Sequence, residues 1–247
     1  MPLHFVADQA TDAAVGSLLG LTGAEAHHAA VVRRVRSGET VTVGDGRGVW
    51  LDGICEDVGP KEVAVRVIAR RVEPQASPRL VLVQALAKGD RDELAVQAAT
   101  ELGVDEVVPW QASRSVSQWS GPKLDKGVAR WEAITREAAK QAHRAWIPDV
   151  SAPVSTRQLA ARAAEASVLV LEPTAEATLT AQLLKPVNER DIVLVVGPEG
   201  GIAPDELDVL VAAGAVLVRL GATVLRTSTA GPAALAVASA ALGRWGP

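Results

Sequence analysis

The chain has 247 residues, of which 48% are hydrophobic and 22% are charged, and its formal net charge is −4. That composition supports one large core or two modest ones and argues against a disordered chain. A net negative charge also argues against a generic nucleic-acid coat, because phosphate binding depends on lysine and arginine side chains. Any contact with RNA is therefore expected to be local.

No apolar run reaches the length of a membrane span, and Met1–Phe5 lack the basic and then apolar layout of a secretion signal. We therefore expect a cytoplasmic protein without a membrane partner. The single cysteine, Cys55, excludes an internal disulfide, and four histidines without cysteines at ligand spacing argue against structural zinc. No metal is expected.

The first part of the chain predicts a small β-barrel. Its strands are short and rich in β-branched residues, and they are expected at Leu3–Val6, Thr40–Val43, Val49–Cys55 and Glu62–Val72. One helix is expected at Ala24–Val35. Residues 73–78 contain two prolines and no periodicity, which is typical of a linker. We place a first domain at residues 1–73 and a second at residues 79–247.

Beyond the linker, strand and helix patterns alternate, which predicts an α/β domain with a mostly parallel sheet. Strands are expected at Leu80–Leu86, Val107–Trp110, Val168–Leu171, Ile192–Val196 and Ala215–Leu220. Helices are expected at about Asp90–Leu102, Lys123–Arg144, Thr156–Ala166, Pro204–Ala213 and Pro232–Leu242. Ligands of such domains bind at the carboxyl edge of the sheet.

The loop Gly197-Pro198-Glu199-Gly200-Gly201 follows one of these strands. Its glycines let backbone amides approach a ligand ahead of a helix, as in a phosphate cradle. Glu199, with Asp205 and Glu206 in the first helical turn, opposes a phosphate there, and no complete nucleotide-binding motif is present. The loop thus favours a neutral or cationic ligand, or it serves only to reverse the chain.

A second loop ends in Leu225-Arg226-Thr227-Ser228-Thr229, ahead of a helical segment built from Ala, Val and Leu. Arg226 is expected at the rim of a dry site. The alternative is that Arg226 is a surface charge beside hydroxyl residues that cap the helix.

The two loops, the second in the pattern Leu220-Gly221-x-x-Val224-Leu225-Arg226-Thr227-x-Thr229-Ala230, resemble those of the RsmE family of 16S ribosomal RNA uridine-N3 methyltransferases. Other segments that resemble its signatures are Ala87–Arg91, Ala99–Val104, Arg114–Val116 and His28 with Arg34 ahead of Gly38. The resemblance implies a SPOUT-type trefoil-knotted α/β domain behind a PUA-like barrel. It also implies methylation of uridine N3 in 16S ribosomal RNA, at the family's U1498 position.

In that family S-adenosylmethionine lies among three loops of the knot. The resemblance carries this role to Leu171, Glu172, Pro173, Gly197, Glu199, Gly200, Gly201, Leu220, Gly221, Val224, Leu225 and Arg226. A sulfonium cation beside an acidic loop agrees with the charge argument above.

The chain departs from the family at Ser228, where a glutamate is usual, and at Gly231-Pro232, where the family's helix continues.

The candidate catalytic residues are Arg226, Glu199 and Arg114. Uridine N3 must lose a proton before it attacks the methyl carbon, so Arg226 is expected to stabilise the charge on the base carbonyls. Glu199 is expected to orient the ligand or its loop. Arg114 is expected at the rim of the active site or on a phosphate, and no general base is identifiable.

Basic residues from Lys123 to Arg144 share one face of the predicted helix, opposite an apolar face. Such a stripe is either an RNA contact or a solvated face. The candidate RNA-binding residues are Arg33, Arg34, Arg36, Lys88, Arg114, Lys126, Arg130, Lys140 and Arg144.

The expected partners are 16S ribosomal RNA or the small ribosomal subunit and, from the family, a second copy of the chain in a homodimer. Three other interpretations stay open. The chain could be a related SPOUT enzyme that methylates a ribose 2′-oxygen or a transfer RNA, a non-catalytic RNA-binding module, or a Rossmann-type nicotinamide enzyme.

Overall fold

The computed structural model describes residues 1–184 and 190–246. The chain forms two compact units, one of Met1–Gln75 with Ala139–Ile147 and the other of Ala76–Ala138 with Pro148–Pro247. The division after Gln75 falls inside the predicted linker. The return of Ala139–Ile147 to the first unit was not expected, because the sequence pattern there continues that of the preceding helix.

The first unit is built on a five-stranded sheet with the order β1-β3-β4-β5-β2. Its strands are β1 (Leu3–Val6), β2 (Leu18–Thr22), β3 (Thr40–Gly44), β4 (Val49–Val58) and β5 (Glu62–Val72). Strands β1 and β3 pair in parallel, and the other pairs are antiparallel. Alternate residues of β5 point inward, so that Val63, Val65 and Val67 are buried in the core.

A shorter helix replaces the one predicted over Ala24–Val35. Helix α1 spans Gly23–His27 and continues as one π-helical segment over His28–Val32. The backbone N–H of Arg33 donates to the His28 carbonyl at 2.8 Å, which closes the wider turn. Arg34 then adopts a φ of 55°, outside the helical range, and the helix ends before it.

Residues 139–147 are bound into the first unit by buried polar contacts. Lys140 Nζ lies 2.8 Å from Glu25 Oε1, with side-chain exposures of 7% and 14%. The Trp146 indole donates to the Glu73 carbonyl at 2.8 Å, and the Ile147 backbone N–H donates to the Gly46 carbonyl at 3.0 Å. The assignment of Lys140 to an exposed RNA-binding stripe is therefore wrong, because this ammonium is buried and neutralised by a carboxylate.

A stack of rings completes the packing of this unit. His4 lies parallel to Trp50 with 4.2 Å between ring centroids, and His143 lies 5.8 Å from His4. Burial lowers the pKa of His4 to about 3, and the nearby charges of His143, Lys140 and Arg71 act in the same direction. His4 is thus neutral at ordinary pH and serves packing, since an imidazolium would be poorly solvated there.

The second unit contains a six-stranded sheet with the order β11-β9-β10-β6-β7-β8. Its strands are β6 (Leu80–Ala85), β7 (Glu106–Trp110), β8 (Asp149–Val150), β9 (Ser167–Leu171), β10 (Ile192–Val196) and β11 (Val216–Val218). Every pair is parallel, which confirms the predicted α/β class. Successive residues of β6 and β10 are buried on opposite faces, as expected of a sheet covered on both sides.

Six helices are described in this part of the chain: α2 (Arg91–Glu101), α3 (Pro122–Gln141), α4 (Thr156–Ala161), α5 (Leu179–Leu183), α6 (Pro204–Ala212) and α7 (Thr227–Ala241). Helix α3 ends three residues earlier than predicted, ahead of His143, which has a φ of 53°. Helix α7 begins five residues earlier than predicted, so Pro232 lies inside it rather than at its start.

Helix α7 lies close against the sheet, and Gly231 makes this possible. A Cβ atom at Gly231 would lie 2.9 Å from Cδ1 of Leu82 on β6 and 3.4 Å from Cγ2 of Val196 on β10. Real Cβ atoms essentially never approach other atoms to 2.9 Å, so a larger residue would require the helix or the Leu82 side chain to shift. The first turn of α7 is thereby held at the carboxyl edge of β6 and β10.

Candidate functional site

A cleft of about 490 Å³ lies at the carboxyl edge of the parallel sheet. It is enclosed by the segments that follow β9, β10 and β11 and by the first turn of α7. Because the three strands are neighbours in register, their following segments meet although they are far apart in the chain. The volume is in the range of sites for small organic ligands.

The residues that the sequence assigned to a cofactor lie around this cleft, with one exception. The lining contains Leu171, Glu172, Pro173, Gly197, Glu199, Gly201, Leu220, Gly221, Val224, Leu225 and Arg226. Gly200 is in the same loop but does not line the cleft. Nine further residues line the cleft, and among them are the polar residues Arg91, Arg219, Thr223 and Thr227, which were not in the predicted cofactor set.

Glu199 joins its loop to the start of α2. One carboxylate oxygen accepts hydrogen bonds from Arg91 Nη1 at 2.7 Å and from the Lys88 backbone N–H at 3.1 Å. Burial would raise the pKa of Glu199, but its hydrogen bonds with its own backbone, Arg91 and Lys88, together with the Arg91 charge, lower the pKa below its usual value. Glu199 is therefore ionised and paired, which suits a role in holding the loop.

Glu206 has a similar role at the start of α6. Its carboxylate accepts hydrogen bonds from Thr156 Oγ1 at 2.6 Å, from Ser113 Oγ at 2.8 Å and from the Ser113 backbone N–H at 3.0 Å. Burial would raise the pKa of Glu206, but these hydrogen bonds and that from the Ala203 backbone lower it below its usual value. The carboxylate at this helix start is thus buried, and its hydrogen bonds hold α6 to the segments that contain Ser113 and Thr156.

Arg114 does not line the cleft. Its Nη1 donates to the Gly200 carbonyl at 3.2 Å. Its Cβ lies 3.5 Å from the position that a Cβ atom would occupy if Gly200 had a side chain. This contact supports the loop from a neighbouring segment. Arg114 thus lies against the backbone of the loop that borders the cleft, and its expected place at the rim of the site or on a phosphate stays a prediction.

Arg226 occupies the N-cap position of α7. Its carbonyl accepts from the backbone N–H groups of Thr229 at 2.8 Å and of Ala230 at 2.9 Å. Within residues 1–184 and 190–246 its guanidinium has no hydrogen-bond or ion-pair partner. The charge is therefore available to a ligand at the helix start, where the backbone N–H groups add positive potential.

A buried hydrogen-bond chain connects the two loops, and sequence reasoning missed it. Gln84 Nε2 on β6 donates to Thr227 Oγ1 at 2.9 Å, and Thr227 Oγ1 donates to the Gly197 carbonyl at 2.9 Å. The only sequence signal is one amide in the apolar strand Leu80–Ala85. Its partner is 143 residues away, so the contact cannot be read from spacing.

The remaining RNA-binding candidates differ in their availability. Arg33, Arg34 and Arg36 are exposed in the turn that follows α1, and Lys88 and Lys126 are also exposed. Arg130 pairs with Glu93 at 2.8 Å, and Arg144 is half-buried. Exposure alone does not distinguish an RNA contact from a solvated charge.

We predict that Arg91→Gln raises the pKa of Glu199 toward the ordinary value of a glutamate. The substitution removes both a charged hydrogen bond and a neighbouring positive charge. Carboxyl carbon NMR titration of the variant and the unmodified chain measures the change. Arg66→Gln, which breaks the 2.8 Å pair with Glu56, is the matched control and should leave Glu199 unchanged. An unaltered Glu199 titration in Arg91→Gln would show that the pair does not set the charge of this loop.

Two protein families match this chain. Residues 74–239 match a family described as the RNA methyltransferase domain, and residues 21–68 match the RNA methyltransferase PUA domain.

No helix in the described residues 1–184 and 190–246 has both the length and the apolar character needed to cross a membrane.

Relatives and solved structures extend the match to nearly the whole chain. Ribosomal RNA small subunit methyltransferase E of Mycobacterium bovis is 46% identical over 235 residues, which cover 93% of this chain and 89% of the relative. The protein of the same name from Bacillus subtilis is 31% identical over 220 residues, 85% of each chain. The crystal structure of that methyltransferase from Neisseria gonorrhoeae, bound to S-adenosyl methionine, superposes with a TM-score of 0.85 at 26% identity and covers 97% of this chain and 98% of its own.

Proposed function

The chain belongs to the ribosomal RNA small subunit methyltransferase E family, and from that premise we propose that it transfers a methyl group from S-adenosylmethionine to uridine N3 in 16S ribosomal RNA. The observation that carries the proposal is the cleft bounded by the segments after β9, β10 and β11. Methyl transfer also explains why the loop is acidic, since this donor is a cation without phosphate. A ribosomal substrate places the protein in the cytoplasm.

The residues around the cleft fit the donor chemically. Leu171, Leu220 and Ile202 offer apolar surface to an adenine ring. The carboxylate of Glu172, which is bound by Thr174 and has no cationic partner among the described residues, favours positive charge. When bound, S-adenosylmethionine supplies an electrophilic methyl group on sulfur. The chain's own part is to hold the donor and the base in line and to exclude water between them.

Arg226 is the proposed catalytic residue. The lone pair of the attacking nitrogen is delocalised into the neighbouring carbonyl groups, so the nitrogen is a poor nucleophile until its proton is lost. The resulting negative charge spreads over the carbonyl oxygens of the base. The guanidinium of Arg226 is exposed at the start of α7 and lines the cleft, where it can stabilise that charge. The same charge favours loss of the proton to solvent, so the site needs no strong base beside it.

Glu199 is a poor candidate for the proton acceptor. Its pKa is lowered and one of its oxygens is already bound by Arg91 and Lys88. Ser228, at the position where the family usually has a glutamate, has no carboxylate to accept the proton either. We therefore assign Glu199 to positioning of the donor loop and leave stabilisation of the charged base to Arg226.

We further propose that the second unit has the family's trefoil knot. The strand order supports this, since the chain leaves β9 for β10 on one side and later returns to β11 on the other side of β9. Helix α7 then packs on β6 and β10. The segment between α5 and β10 includes residues 185–189, which lie outside the described residues.

The RNA is proposed to contact exposed arginines of the first unit, at Arg33, Arg34 and Arg36, and exposed lysines of the second, at Lys88 and Lys126. The target uridine must leave any stack to reach a cleft of this size, which favours an accessible loop nucleotide. Such local contacts agree with a net charge of −4, because the overall charge does not attract RNA.

The product of the reaction tests the proposal directly. We expect the chain to transfer label from S-adenosylmethionine to small ribosomal subunits or 16S ribosomal RNA from a strain that lacks the modification. Mass spectrometry of the digested RNA should show 3-methyluridine. A 2′-O-methyl nucleoside, or label only in transfer RNA, would instead support a related methyltransferase, and no transfer to any RNA would contradict the proposal.

We predict that Arg226→Ala lowers kcat by at least about 100-fold, within the range seen when one oxyanion-stabilising donor is removed. Donor binding, measured by calorimetry, should stay detectable because the other lining residues are intact. Arg157→Ala, which removes an exposed arginine of α4, is the matched control and should keep full activity. A wild-type rate in Arg226→Ala would remove this residue from the mechanism.

We also propose a homodimer, because several large apolar side chains of the second unit are exposed. Val224 is 76% exposed and Val116 is 70% exposed, and Val224 lies in the loop that borders the cleft. A second copy would cover such residues. Light scattering after size-exclusion chromatography should give twice the chain mass of 25.7 kDa. A mass of one chain at micromolar concentration would contradict the dimer.

A further inference from the structure

Gln84 is a polar residue in the middle of a parallel sheet. It lies on β6, is 0% exposed, and stands in register between Val196 of β10 and Pro109 of β7. A primary amide loses its hydration on burial, so it destabilises the fold unless its hydrogen bonds are replaced. A strand selected for stability alone would carry an apolar side chain here.

The hydrogen bonds of Gln84 are only partly replaced. Its Nε2 donates to Thr227 Oγ1 at 2.9 Å and to the Ala85 carbonyl at 3.1 Å. Its Oε1 is buried without a hydrogen-bond partner among the residues that the structure describes. The unpaired oxygen therefore makes an unfavourable contribution to the free energy of folding. The side-chain hydrogen bond that Gln84 does make is with Thr227.

The amide fixes the direction of the Thr227 hydroxyl. A hydroxyl has one proton, and the oxygen of Thr227 already accepts from Gln84, so its proton is directed to the Gly197 carbonyl. Gly197 opens the loop that carries Glu199, and Thr227 directly follows Arg226. The chain Gln84–Thr227–Gly197 thus connects the two loops that face each other across the cleft.

We propose that Gln84 is a positioning residue for methyl transfer, which acts through Thr227 to set the spacing between the donor loop and Arg226. The inference rests on the proposed function for the reaction, but the spacing itself is a property of the folded chain. The hydrogen bonds link the two loops to each other and to the central strand β6, so that the loops do not move independently. Positioning of this kind matters for in-line transfer, which tolerates little displacement.

The test uses Gln84→Met, which keeps the length of the side chain, and Thr227→Val, which keeps its shape. Each should lower kcat about tenfold while the KM for RNA stays within about twofold, because the reacting groups are displaced and the RNA surface is not. Thr227→Ser retains the hydroxyl and should restore most of the rate. The double variant should be no slower than Thr227→Val alone, since both substitutions break one chain of hydrogen bonds.

Thr135→Val is the matched control. Thr135 is buried in α3, and its hydroxyl donates to the Glu132 carbonyl at 3.0 Å, so the substitution removes a buried hydrogen bond remote from the cleft. It should lower the melting temperature without changing kcat. If Gln84→Met and Thr227→Val behave in the same way, with a lower melting temperature and an unchanged kcat, their role is structural and the proposal is overturned.

Hydrogen exchange separates failure of this inference from failure of the proposed function. Without any ligand, backbone amides of residues 197–201 and 221–227 should exchange faster in Gln84→Met and Thr227→Val than in Thr135→Val. Unchanged exchange in these loops would overturn the positioning role even if the protein methylates RNA. Faster exchange in a protein that methylates no RNA would show that Gln84 and Thr227 hold the two loops together, and it would reject both the function and the positioning role in methyl transfer.

Discussion

Parallel pairing of β9, β10 and β11 is the constraint on which the rest of the site depends. Val196 pairs with Leu171, and Val218 pairs with the same residue from the other side, so all three strands end at one level. Burial of both sheet faces holds this register, because a slip would move apolar side chains out of their core positions. The cleft is therefore a consequence of the sheet.

Charge around the cleft is arranged in two ways. Glu199 and Glu206 are ionised and bound by neighbouring donors, and each joins segments that are distant in the chain. Arg226 is the contrasting case, since its guanidinium has no partner among the described residues. Hydrogen-bonded carboxylates thus build the frame, whereas Arg226 and Arg219 both line the cleft and have no side-chain partner among the described residues. A net negative protein can act on RNA under these conditions because the charges that matter are local.

Long apolar runs and glycine-rich loops could be interpreted from the sequence alone. Strand β10 and the loop at Gly197 lie where they were predicted, because periodicity and turn chemistry are local properties. Strand β8 has two residues and helix α5 has five, which is too short for a recognisable pattern. Helical spacing placed Lys140 on a solvated face, yet its partner Glu25 is 115 residues away. The same limit hid Gln84, whose role depends on a contact that only the fold creates.

The return of residues 139–147 to the first unit has a consequence for biosynthesis. When Gln75 leaves the ribosome, this unit still lacks the segment that supplies the Lys140 partner of Glu25 and the Trp146 partner of the Glu73 carbonyl. Its final packing must wait until residue 147, when residues 76–138 of the second unit have also been translated. The first unit therefore completes its packing only after synthesis of the second unit has begun, whereas domains generally fold as separate units with the amino-terminal one first.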